Sequence, residues 1–351
     1  MKLDWRRTSL ILVILAMVIG VVVLPVVAAR NQPDEELVWP LPPDKPRVKF
    51  IKIMQSEEDY ASGFVKWFRR VILGAGSTEN KLDRPFGVAV NADGQIYVTD
   101  NGKAPCIIVF DEQASKKKVW RFGDRGRFAL VSPIDVTVND QAGLVYVSDS
   151  VLKKVAAFDY AGNFQFLTDV QINFENPTGL AYDPQSDLLY VVDTKAHDVK
   201  VFRGDGQYLR TIGERGSTEG TFNFPSMAAI DSQGNLYITD SMNFRVQVFD
   251  NQGNFRSTFG GVGDGPGQFS RAKGIALDSE DHVYVVDGAF NNYQLFTADG
   301  QLLMWVGNGG NGNGEFMIPA GIWIDNQDRI YVVDRFNSRL QVFQYLADSA
   351  E

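Results

Sequence analysis

From residue 85 to residue 345 the chain alternates short apolar runs with turn-rich polar links. In the fifth unit the runs are GIALD, VYVVD, NYQLF and QLLMWV. They are β-branched, aromatic and too short for helices, so each predicts a strand. Links such as NADGQ and DSQGN are hairpin chemistry: Asn or Asp opens the turn and Gly accepts positive φ. The unit recurs from Pro85, Pro133, Pro177, Pro225, Ala272 and Pro319. Each second run ends on an aspartate, Asp100, Asp149, Asp193, Asp240, Asp287 and Asp334, at intervals of 49, 44, 47, 47 and 47 residues. A phenylalanine follows each time: Phe110, Phe158, Phe202, Phe249, Phe296 and Phe343. Four antiparallel strands per ~40–50 residues make one propeller blade. Six registered copies predict an all-β, six-bladed β-propeller.

The motif P-x-G-[IV]-A-[VL]-D, then [IL]-Y-[VI]-T-D, then N-x-R-[VL]-Q-V-F resembles the NHL repeat. The fourth unit (Asp240, Asn243, Arg245, Phe249) and the sixth (Asp334, Asn337, Arg339, Phe343) fit it best. The resemblance spans residues 85–345 and implies fold far more than function, since propellers host unrelated activities. The first five units carry an outer strand, but the sixth runs out soon after Phe343. Residues 47–54, containing RVKFIKIM, are the predicted closing strand of a domain spanning 47–346, with a tail at 347–351; without closure blade six would expose an edge. Between closure and first blade, Phe64, Trp67, Phe68, Val71 and Ile72 fall on one face of a helix predicted over 57–73. Ser56 and Asp59 provide a capping box. That helix suits either docking on the propeller or lying on an anionic membrane surface.

The N-terminus bears on location. Lys2, Arg6 and Arg7 precede an apolar run from Leu10 to Ala29, 20 residues that would span ~30 Å as a helix. Basic residues favour the cytoplasmic side. Residues 1–30 therefore predict a single-pass anchor, with the propeller periplasmic or extracellular. The competing reading is a signal peptide cleaved after Val27-Ala28-Ala29, which would secrete the domain. Residues 31–46, with Pro33, Pro40, Pro42, Pro43 and Pro46, predict an extended spacer without a packed core.

A net charge of −9 over 351 residues argues against nucleic acid as partner, as does export. Some NHL domains bind RNA on a basic face, but the resemblance does not carry that to an exported chain. Similar six-bladed propellers include zinc-dependent amidating lyases and calcium-dependent lactonases. This chain has two histidines, His197 and His282, predicted at opposite blade ends, and zinc needs its nitrogens at ~2.0–2.1 Å. The lone Cys106 permits no intrachain disulfide. The glycine strings GERGSTEGTF, GGVGDGPGQF and GNGGNGNGEF are followed by strands, not by the helix a phosphate loop needs. The blade aspartates, at strand ends before polar loops, are expected to cap backbone N–H groups. The sequence thus calls for no metal and no cofactor.

Loops joining second to third strands, and outer strand to next blade, emerge on one face. They bring Arg84, Lys103, Lys153, His197, Phe244, Arg271, Phe290, Arg335 and Phe336 together as candidate binding residues. Asp135, the one carboxylate where other blades have Gly87, Gly179, Gly274 and Gly321, is a candidate at the channel mouth. Basic and aromatic side chains on one rim predict docking of a protein, peptide or glycan. The alternative is a hydrolase or lyase with its site at the central axis. Oligomeric state is not legible in the sequence.

Overall fold

The structure is a computed structural model that describes residues 36–60, 80–113, 117–126 and 128–347. The anchor run Leu10–Ala29 and most of the 57–73 helix lie outside the described residues. Only Glu57–Tyr60 of that helix is described, as a 3-10 turn. Asp59 accepts the Ser56 N–H at 2.8 Å, and Ser56 Oγ accepts the Glu58 N–H at 3.2 Å. Among the described residues no helix is long and apolar enough to cross a membrane.

The described chain is a six-bladed propeller. Five blades are four-stranded antiparallel sheets built from consecutive strands, and the sixth has five strands. Blade one comprises Pro85–Val90, Gln95–Asp100, Cys106–Asp111 and Lys118–Phe122. Blades two to five repeat that order, their first strands being Pro133–Asn139, Pro177–Asp183, Pro225–Ile230 and Ala272–Leu277. In blade six, Ile322–Ile324, Arg329–Asp334 and Arg339–Tyr345 are followed in space by Val48–Met54, which pairs antiparallel with Arg339–Tyr345 (Val48 opposite Tyr345, Met54 opposite Leu340).

One strand was not expected. Val38–Trp39, inside the predicted spacer, pairs with Val48 and Lys49 as a fifth strand. The Trp39 ring meets Phe343 edge-on at 5.7 Å, so two residues of a proline-rich segment gain an aromatic contact that an extended tether lacks. The 31–46 segment is therefore part of the domain at 38–39.

The repeat columns explain the packing. Second-strand tyrosines (Tyr97, Tyr146, Tyr190, Tyr237, Tyr284, Tyr331) and third-strand phenylalanines are buried. They fill the wedge between neighbouring blades, as in the cluster joining Tyr190, Phe222 and Phe249. Each blade aspartate is also buried and accepts backbone N–H groups. Asp149 takes those of Val131, Ser132, Val151 and Leu152 at 2.7–3.1 Å. Asp240 and Asp334 also hold Arg245 (2.9 Å) and Arg339 (2.6 Å).

First strands carry a bulge at their start. In the first five blades the ladder shifts register three residues in, between Pro85 and Val88 in blade one and correspondingly onward. A bulge frees a backbone N–H and re-aims side chains. The freed donors find partners: Gly87 donates to Thr99 Oγ1 (2.7 Å), Asp135 to Ser148 Oγ (3.0 Å) and Met227 to Thr239 Oγ1 (2.9 Å). In blades five and six the acceptor is the next blade's carbonyl, Ala320 for Gly274 and Phe86 for Gly321.

Candidate binding face and axial cavities

The bulge decides what faces the axis. Its first residue is Phe86, Ile134, Thr178, Ser226 or Lys273 in blades one to five. The next is glycine in four of the six blades, and there the inner strands touch. A Cβ on Gly179 would stand 2.5 Å from Met227 Cα, and one on Gly321 would stand 2.5 Å from the Phe86 carbonyl oxygen. Two cavities are lined by these inner strands.

On the loop face lies a cup of about 480 Å³, walled by Phe86, Ile134, Phe224, Met227, Met242 and Ala272, with Arg271 and Lys273 on one side. Its hydroxyls are already committed. Thr178 and Thr194 bond to each other at 2.7 Å, and Ser241 donates to Ala272 O at 2.7 Å. The remaining wall is apolar. Lys273 Nζ sits 5.7 Å from the Phe86 ring centre, and the Arg335 guanidinium lies 4.9 Å from it. Burial lowers the Lys273 ammonium to about 8, helped by repulsion from Arg335 and Arg271. Burial, then Arg84, likewise lowers Arg335. None of these four cations forms an ion pair among the described residues.

The second cavity is smaller, about 170 Å³, and is lined by Asp135, Thr137, Tyr182 and Trp323 among others. Asp135 belongs here, not at the mouth. It is buried at the bulge, its Oδ2 accepts the Leu180 N–H at 2.9 Å, and burial raises it to about 7 against the pull of backbone N–H groups.

The predicted face residues divide. Arg84, Arg271, Arg335 and Phe336 gather at the rim of the cup: Arg335 bridges the Phe86 and Phe336 rings, and Phe336 is 59% exposed. Lys103 and Lys153 are exposed on their own blades. Phe290 is half-buried, its N–H held by Asp287 at 3.1 Å. His197 and Phe244 turn inward. Both occupy the left-handed position closing the loop (φ 59° and 56°), as does the exposed Lys153 (φ 55°), so it is their packing contacts that turn them in. His197 is buried, and its Nδ1 accepts the Phe224 N–H at 3.1 Å. Phe244, half-buried, packs against the core cluster shared by blades four and five. His282 lies in a hairpin at the other end of its blade, bonded to Asp278 at 3.1 Å. Among the described residues no group of three or more His, Cys, Asp or Glu side chains could hold a metal ion. Burial pushes the Cys106 thiol up to about 12, consistent with a packing role.

Loop reasoning missed Phe86, Lys273 and Phe224. The first two are strand residues, and their signal lay in the bulge column read across blades: Lys273 is its single charge.

Comparison with known proteins agrees with the architecture. A family model described as a 6-bladed beta-propeller matches residues 218–295 and 278–350, and the NHL repeat model matches residues 174–202. No curated protein matches the sequence. Among solved structures, a virginiamycin B lyase from Staphylococcus aureus is similar at 16% identity and TM-score 0.54, over 75% of this chain and 95% of that one. A hydrazine synthase from Kuenenia stuttgartiensis gives 12% and 0.55, over 78% and 99%. A chain of a nidogen/laminin complex gives 17% and 0.51, over 63% and 79%. At such identities the likeness is of fold alone, and the fold is found in a lyase, a synthase and a nidogen/laminin complex alike.

Proposed function

We propose that this chain, a six-bladed β-propeller of NHL-type repeats, is a binding module held outside a membrane by residues 1–30, docking a protein, peptide or glycan on its loop face. The carrying observation is the uneven distribution of exposed apolar side chains. Val131, Val151, Phe224, Met242, Met317 and Phe336 are exposed, and all stand on loops of that face. Among the described residues, the opposite face has one exposed large hydrophobic side chain in a hairpin, Leu41 between Val38–Trp39 and Val48–Met54. Around them Arg84, Arg271 and Arg335 reverse the acidic character of the chain. Aromatic and Met anchors with Arg are what interface cores use. Cations on the rim speed encounter, and buried anchors set residence time.

The axial alternative, a hydrolase or lyase, has one supporting observation: Asp135 is a carboxyl near neutrality beside a cavity. Asp135 lines one cavity and Arg271 and Lys273 the other, so no single lining brings the carboxyl and the cations together.

Crosslinking capture from intact membranes tests the docking reading. Wild type should retain a partner that the double variant Phe336→Ser, Met242→Ser loses, with unchanged melting temperature. Equal capture by both overturns the assignment of the face. Protease added to intact spheroplasts should degrade the propeller; protection until lysis overturns the location.

A further inference from the structure

The repeat is broken where folding does not require it. In the column after each blade aspartate stand Asn101, Ser150, Thr194, Ser241, Gly288 and Arg335. Three of these stitch to the next blade: Asn101 donates to Pro133 O (2.7 Å), Thr194 to Pro225 O (2.7 Å) and Ser241 to Ala272 O (2.7 Å), while Ser150 bonds within its own blade to Ser132 Oγ (3.1 Å). Arg335 makes no such stitch and instead lies over Phe86. In the bulge column Lys273 is the single charge, and Gly288 leaves room beside it, its missing Cβ 3.2 Å from Lys273 Cε. The departures in blades five and six meet the Phe86 ring of blade one at the wall of the cup.

We propose that the axial cup is a site for a small amphipathic oxyanion: a carboxylate or phosphate head held by Lys273 with Arg271 and Arg335, and an apolar or aromatic body seated against Phe86 and Met227. The volume of about 480 Å³ falls in the ~300–1,000 Å³ range of small-molecule sites. Three cations lie on one side without an ion pair among the described residues; Asp287 acts on Lys273 against the burial and the repulsion of Arg335 and Arg271, which still prevail until an anion joins them. The opposite wall has committed hydroxyls and apolar surface, which rewards an apolar body and offers a second polar end nothing. The inference rests on the loop face being the binding face, but not on a macromolecular partner.

The probes are 1-naphthylacetate, 1-naphthyl phosphate and the neutral 1-naphthylacetamide. They are titrated calorimetrically into the full chain in nanodiscs, with empty nanodiscs as blank. One oxyanion should bind per chain, at least ~10-fold tighter than the amide, as charge-assisted hydrogen bonding requires. The tighter of acetate and phosphate identifies the head. Lys273→Gln should remove that preference and Lys273→Arg should restore most of it. An anion beside Lys273 raises its proton affinity, so at pH 8 wild type should take up a fraction of a proton per ligand, read from two buffers of different ionisation enthalpy. Lys273→Arg should take up none. Equal affinity for acid and amide, an unaltered preference in Lys273→Gln with its melting temperature intact, or binding of none of the three overturns the site. Loss of the cup with partner capture intact would leave the docking reading standing; loss of capture with the cup intact would do the reverse.

Discussion

The two faces of the propeller spend their polar groups differently. On the hairpin face the first hairpins carry Asp93, Asp140, Asp187, Asp231, Asp281 and Asp328. Three of these reach to the preceding blade. Asp140 accepts the Ala92 N–H at 2.9 Å, Asp281 accepts Ser232 N–H and Oγ–H, and Asp328 does the same for Ser279. The acids there clasp blade to blade. On the loop face the clasping is done lower down, by the buried blade aspartates and the residues after them, which frees the loop tips. Apolar and cationic side chains can then stand exposed with no structural duty. One face is a fastening and the other is available.

The sharpest test of that contrast is at closure. Deleting residues 47–54 leaves Arg339–Tyr345 as an open edge and should cost several kcal/mol, seen as a lower, broader melting transition. Because Trp39 packs on Phe343, deleting residues 31–46 should also lower the midpoint, by a smaller amount. Next comes the buried ring: Asp334→Ala strands Arg339, 5% exposed, and should cost about 3–5 kcal/mol in denaturant titration. Asp149→Asn, with no paired base, should cost clearly less. An equal loss in both would break the distinction between capped and ion-paired blades.

Asp135 gives a pH-resolved prediction. Its folded value of about 7 lies above the unfolded 3.8, so between these the folded state holds more protons, and stability falls as pH rises from about 4 to about 7. Asp135→Asn keeps an acceptor for Leu180 and removes the buried charge. It should raise the melting temperature at pH 8, by at most about 4 kcal/mol of stability, and by little at pH 4. A gain independent of pH would mean the carboxyl is not the cause. The smallest effects separate the faces themselves. Asp281→Ala, losing two bonds to Ser232, should cost about 1–2 kcal/mol. Phe336→Ser should stay within about 0.5 kcal/mol. Reversed magnitudes would invert the assignment of fastening and available face.

What was legible followed the period. Strand count, the capping role of the aspartates and the missing outer strand of blade six all come from registered columns, and a period survives without coordinates. The site was legible only in part, because side-chain direction depends on backbone irregularities and packing contacts that carry no period. The bulge turned Asp135 inward and Lys273 toward the cup; contact with Phe224 drew His197 in, and contact with the core cluster drew Phe244 in, from a backbone position that leaves Lys153 exposed. Trp39 was hidden by its prolines, whose composition signals an extended chain whether or not one aromatic finds a pocket.

The pairing of Val48 with Tyr345 also sets an order of events during synthesis. The closing strand leaves the ribosome nearly three hundred residues before its partner exists. At ~5–20 residues per second that is a wait of about 15–60 s. Blades one to five can assemble in turn, each from its own consecutive strands, while Val48–Met54 has only Val38–Trp39 beside it and waits for Arg339–Tyr345. Lys49 and Lys52 within that strand would discourage pairing with other nascent chains in the interval. The ring is thus completed by a strand made before blade one joining Arg339–Tyr345, and a ribosome stalled before residue 345 would hold an arc.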